Sequence, residues 1–123
     1  MAKVLGVGGV FFKSHDPKKL YDWYAKWLGM EFEANWGIAY YPKDMPSKGY
    51  TVWSAFDSNT DYFAPSEKEF MFNLIVDKLE EALKQVKEGG AQVIGSIEKL
   101  EFSLFGWFID PDGNKVELWE LMK

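Results

Sequence analysis

The sequence predicts an α+β fold. Two βαβββ modules pair their strands into one curved, mixed, mostly antiparallel sheet around a concave pocket. Three observations carry this reading. The elements run strand, helix, three strands, and then the same again. The two helix-start signals, Asp16 and Asp77, lie about sixty residues apart, as a duplicated unit requires. Aromatic residues make up 18% of the chain, enough ring surface both to fill a core and to line a concave site. Helices on the convex side would leave the concave face free for a ligand. Module one covers about 1–57, a linker about 58–68 and module two about 69–123, all within a single domain.

The most informative stretch is 108–120, FIDPDGNKVELWE. Its centre, Asp110-Pro111-Asp112-Gly113-Asn114, is turn chemistry: Pro presets φ, Asp and Asn bond their own backbone, and Gly accepts positive φ. The flanks 104–109 and 115–119 are rich in aromatic and β-branched residues, so the stretch reads as a hairpin. Its last strand carries Glu117 between Val116 and Leu118.

From the N-terminus, 4–13 reads as a strand. Val10 and Phe12 face one side, Gly9 and Phe11 the other. Asp16-Pro17 is a cap acid followed by Pro at the first helical position. Leu20, Trp23, Tyr24, Trp27 and Leu28 form an apolar stripe, and Gly29 stops the helix. Three short strands are expected at 31–34, 37–41 and 50–56. Residues 57–68 shift toward turn formers, with Tyr62-Phe63 as an apolar plug or lid.

The strand 70–76 is apolar except for Asn73, which shares a face with Met71 and Ile75. Asp77 and Glu80 look like a capping box for a helix with Leu79, Ala82, Leu83 and Val86 inside. Gly89-Gly90 ends that helix, and 92–97 is a strand leading into the hairpin.

Composition excludes several functions. The net charge of −5, with no basic run longer than Lys18-Lys19, argues against nucleic acid as a partner. With no cysteine there are no disulfides, thiolate metal sites or Cys nucleophiles. His15 is the only histidine and reads as a surface residue beside the helix cap. A two-His-one-carboxylate iron site is therefore excluded within one chain, and so is a Ser-His-Asp triad that omits His15. The glycines of 6–9 lack the spacing of a phosphate-binding fingerprint. No signal-peptide core or membrane-length apolar run is visible, so a cytoplasmic protein with no membrane partner is expected.

The stretches 9–29 (GVFFKSHDPKKLYDWYAKWLG), 70–90 (FMFNLIVDKLEEALKQVKEGG) and 106–120 (GWFIDPDGNKVELWE) together resemble the vicinal oxygen chelate superfamily. This superfamily includes glyoxalases, bleomycin-resistance proteins and ring-cleaving dioxygenases. The resemblance implies metal ligands on the concave face, from the first and last strands of each module. Those positions fall here on Gly9, on Met71, within 51–55 (TVWSA) and on Glu117. Only Glu117 is a usable donor. One carboxylate does not make the three- or four-ligand set of a catalytic metal, so a divalent metal is disfavoured and no cofactor is expected.

What the resemblance implies is a small-molecule protein with a degenerate metal site, in one of two classes. One is a metal-free lyase, isomerase or hydrolase with Glu117 as catalytic acid or base. The other is a binding protein that sequesters an aromatic or hydrophobic compound. Asn73 and Met71, with Phe11, Trp53, Trp107 and Trp119 as walls, are the candidate ligand-binding residues. For Glu117 the plain alternative is a solvent-facing acid paired with Lys115; for Asn73, a structural hydrogen bond; for the aromatics, core or dimer interface. A homodimer is expected, because members of this superfamily often pair.

Overall fold

The computed structural model describes residues 1–33 and 36–122. Its regular elements are α1 (Pro17–Leu28), β1 (Phe72–Ile75), α2 (Leu79–Glu88), β2 (Gln92–Leu100), β3 (Ser103–Ile109) and β4 (Lys115–Leu121). The strands form one sheet in the order β1-β4-β3-β2. β1 runs parallel to β4, and the other two pairings are antiparallel. The fold is α+β with a mixed, mostly antiparallel sheet, as the sequence predicts. The second half alone forms a complete βαβββ unit.

Pleat alternation sorts this sheet into two chemically distinct faces. Val116, Leu118 and Phe108 point toward the helices and are fully buried with Leu79 and Val86 of α2. Leu20 and Tyr24 of α1 join the same cluster. Burying each of these large side chains stabilises the fold by about 1.5–3 kcal/mol. Gly106 lets α2 come this close: a Cβ there would sit 2.8 Å from Leu83 Cδ1. The opposite face carries Asn73, Trp107 and Glu117.

α1 begins as its sequence dictates. Asp16 Oδ1 accepts from the Lys19 amide at 3.1 Å, and Gly29 ends the helix in the left-handed region with φ 68°. The helix is anchored to the hairpin turn by Tyr24, whose hydroxyl donates to Asp110 Oδ2 at 2.8 Å. The other oxygen of Asp110 accepts the amides of Asp112 and Asn114, both at 2.9 Å. The turn is thus wound around one buried carboxylate, with Gly113 at φ 83°.

Two local expectations are corrected. The cap of α2 is not Asp77: the helix starts one residue later, after Lys78, with no side-chain cap from either residue. Its first amide, at Leu79, donates instead to Glu120 Oε1 at 2.7 Å. Parallel pairing of β1 with β4 brings that carboxylate to the helix N-terminus, where both the free N–H groups and the dipole favour it.

The strands expected at 4–13, 37–41 and 50–56 do not form. The first half contributes α1, a short 3₁₀ turn at Pro42–Asp44 and an isolated bridge between Glu33 and Gly37. Ala34 of the expected strand 31–34 lies outside the described residues. Alternation alone does not make a strand; a partner and a buried face are also needed. Among the described residues, 4–13 and 50–56 have no strand partner, 37–41 has only the single bridge at Gly37, and Val10, Phe11, Val52 and Trp53 are all exposed.

Candidate functional site

Register brings the site together. On the face away from the helices, Asn73 of β1 and Trp107 of β3 both lie directly opposite Glu117 of β4. The three side chains form one row across three strands. Asn73 Nδ2 donates to Glu117 Oε1 at 2.7 Å, and Trp107 Nε1 donates to Oε2 at 2.9 Å. A third donor comes from outside the sheet: the Tyr62 hydroxyl reaches Oε2 at 2.7 Å. The carboxylate therefore holds an amide, an indole and a phenol at once. Charge-assisted bonds of this kind are stronger than neutral ones.

Lys115 stands two residues before Glu117 on the same strand face. It is 7% exposed, and its Nζ donates to the Tyr62 carbonyl at 2.6 Å. The same ammonium lies 5.2 Å from the Tyr62 ring centroid and 6.0 Å from that of Trp107. Burial lowers the Lys115 pKa, opposed by the nearby charges of Glu117 and Asp61. Burial also acts on the Tyr62 phenol. Together with the hydrogen bond to Glu117 and the charge of that carboxylate, it pushes the phenol up to about 12.

Aromatic rings frame this polar centre. Tyr62 stacks on Phe56, with centroids 5.6 Å apart and planes 22° apart, and meets Trp107 edge-on at 6.4 Å. One row along, Trp119 is 5% exposed, stacks parallel to Phe105 and donates through Nε1 to Ser103 Oγ at 2.9 Å. Trp119 shares the face but does not bond to Glu117.

The structure thus unites Glu117, Asn73 and Trp107 of the candidate residues. Met71 is half-buried one residue ahead of β1. Phe11 and Trp53 are 95% and 85% exposed, on segments outside the sheet. His15 is exposed in the turn before α1. Two residues enter that sequence reasoning did not assign to the site. Lys115 could have been found by strand alternation, since it must share a face with Glu117. Tyr62 is legible in the sequence only as half of an apolar plug or lid in the linker, with nothing to pair its hydroxyl with Glu117.

The residues present do not fit a divalent metal. Gly9 has no side chain, and Met71 offers a soft thioether. Beside Glu117 the Trp107 indole and the Lys115 ammonium have no lone pair to give, while the Asn73 amide and the Tyr62 hydroxyl are turned to the carboxylate as donors. Among the described residues, no three His, Asp or Glu side chains converge into a metal-holding group. A separate cleft of about 450 Å³ lies on the helix side, lined by Trp23, Lys26, Trp27 and Pro111. It contains none of the Glu117 cluster.

Fold and site together define a small α+β protein whose sheet carries a carboxylate-centred polar row on the face away from its helices. The chain belongs to the glyoxalase-like domain family, whose model matches residues 9–119, and with it to the vicinal oxygen chelate superfamily. Among solved structures, it is similar to a glyoxalase/bleomycin resistance protein/dioxygenase superfamily member from Sphaerobacter thermophilus. Identity is 25%, over 85% of this chain and 88% of that one, with a TM-score of 0.48. It is also similar to an integron cassette protein from V. cholerae, at 21% identity over 87% and 88% of the two chains and a TM-score of 0.48. A hypothetical protein from S. aureus shares 25% identity with a TM-score of 0.39, and the match spans 46% of each chain. No curated protein matches. No helix among the described residues is long and apolar enough to cross a membrane.

Proposed function

We propose that this protein binds a small aromatic organic molecule on the sheet face that carries Glu117, without a protein-held metal. The observation that supports it is the row Asn73–Glu117–Trp107. A carboxylate on a sheet face, held by two neighbouring strands and framed by rings, is the polar anchor of a small-molecule site. A carboxylate has about four acceptor positions, and three are taken, so a ligand would bond to the remaining one or displace a donor.

One contact favours a second, catalytic reading as a metal-free lyase or isomerase. The Tyr62 proton lies in a 2.7 Å bond to Glu117, within proton-transfer reach, so the pair could act as acid and base. Glu117→Gln separates the readings. For a binder it changes affinity; for a base it abolishes turnover and leaves affinity nearly intact. The measurement is a thermal-shift screen of aromatic acids, phenols and neutral arenes on wild type and Glu117→Gln, followed by turnover assays on any binder. If no compound shifts the wild type, or Glu117→Gln changes neither affinity nor turnover, the proposal is wrong. The reading keeps the expected cytoplasmic homodimer, in which a second copy would cover exposed Val10, Phe11, Val52 and Trp53.

A further inference from the structure

We propose that Tyr62 is a built-in occupant of the Glu117 site, and that the ligand which replaces it carries a phenolic hydroxyl. This deepens the binding reading above and rests on it.

Tyr62 meets every element that a site for a phenol needs. Its hydroxyl has an anionic acceptor at 2.7 Å. Its ring has a stacking partner in Phe56, an edge partner in Trp107 and a cation in Lys115. Three of these groups, Glu117, Trp107 and Lys115, project from the sheet, so they remain when Tyr62 leaves. The vacated space would present a hydroxyl acceptor at one end and ring contacts around it.

Tyr62 is also fastened in a way that permits exchange. The segment 57–66 is not a strand of the sheet. Its backbone bonds are local turns: Thr60 to Asp57, Ala64 to Asp61 and Ser66 to Phe63. Side chains make its links to the sheet and hairpin. They are Tyr62 to Glu117, Lys115 to the Tyr62 carbonyl, and Ser66 Oγ to the Gly113 carbonyl at 2.6 Å. Releasing Tyr62 costs no ladder hydrogen bonds, and a ligand phenol restores the bond to Glu117. An arene without a hydroxyl would leave Oε2 one donor short.

The experiment compares phenol with anisole, which has the same ring but no O–H donor, on wild type and Tyr62→Ala. Thermal shift and Trp fluorescence are the readouts. Phenol should bind Tyr62→Ala roughly tenfold more tightly than wild type and roughly tenfold more tightly than anisole binds the variant. Equal binding of phenol and anisole to Tyr62→Ala overturns the hydroxyl requirement but leaves the aromatic-site reading intact. Phenol binding equally well to wild type and variant overturns the occupancy of the site by Tyr62, again leaving that reading intact. No binding of either compound to either protein removes both. A second measurement covers a Tyr62→Ala variant that does not fold. In isotope-labelled wild type at neutral pH, where phenol keeps its proton, saturating phenol should shift the Tyr62 ring and Trp107 indole N–H resonances, and anisole should leave the Tyr62 contact in place. Tyr62 resonances unmoved by saturating phenol refute displacement.

Discussion

Tyr24 and Asp110 are joined by a 2.8 Å hydrogen bond across 86 residues of sequence, and both are buried. The bond ties the helix of the first half to the turn of the final hairpin. Tyr24→Phe leaves Asp110 Oδ2 with Asn114 as its remaining side-chain donor. We expect a loss of about 1.5–3 kcal/mol, the usual value for a buried bond to a charged group. Urea unfolding of wild type and variant measures it; an unchanged midpoint would show the tether to be dispensable.

The same pair sets an alkaline limit. Burial raises the Tyr24 phenol far above its ordinary value of 10.0, aided by the Asp110 charge. An acid whose folded value is raised binds its proton more tightly in the native state. Its contribution is complete below pH 10 and declines as the pH rises above it, because only the unfolded chain ionises there. Stability should therefore fall above pH 10, and Tyr24→Phe should flatten that fall. Melting curves between neutral pH and pH 11 provide the check.

The Tyr62 phenol is held up to about 12 by burial first and Glu117 second. Glu117→Gln removes the carboxylate and leaves the burial. One tyrosine should then titrate lower, though still above an ordinary phenol, in a phenolate-absorbance titration. An unchanged titration curve would mean that the contact between them is not maintained in solution.

Gly106 faces Leu83 so closely that a methyl group cannot be added without movement. Gly106→Ala should cost about 1–3 kcal/mol through overpacking. Combining it with Leu83→Ala should recover part of that loss, since the two changes share one space. If the two effects simply add in denaturant unfolding, overpacking is not the cause.

Much of this was legible in the chain. The cap at Asp16, the stop at Gly29 and the turn around Asp110 are local chemistry, and they form where their residues stand. The strand carrying Glu117 was equally readable, and the candidates Asn73, Trp107 and Glu117 come together in one row. The long-range pairings were not readable. Nothing near Asp77 announces that Glu120 will take over the cap of α2, because that depends on which strand lies parallel to β1. Tyr62 reaches Glu117 by a loop path that no periodicity encodes. The alternation in 4–13 and 50–56 suggested strands, but alternation does not specify a partner.

The substitute cap on α2 bears on how the chain folds during synthesis. The helix ends at Glu88, yet the carboxylate that meets its first amide belongs to residue 120. A ribosome that has made the whole helix has not yet made its cap. α2 must wait, with its N-terminal amide facing water, until the last strand emerges and aligns beside β1. Shortening the C-terminus by only a few residues would therefore weaken a helix more than thirty residues upstream.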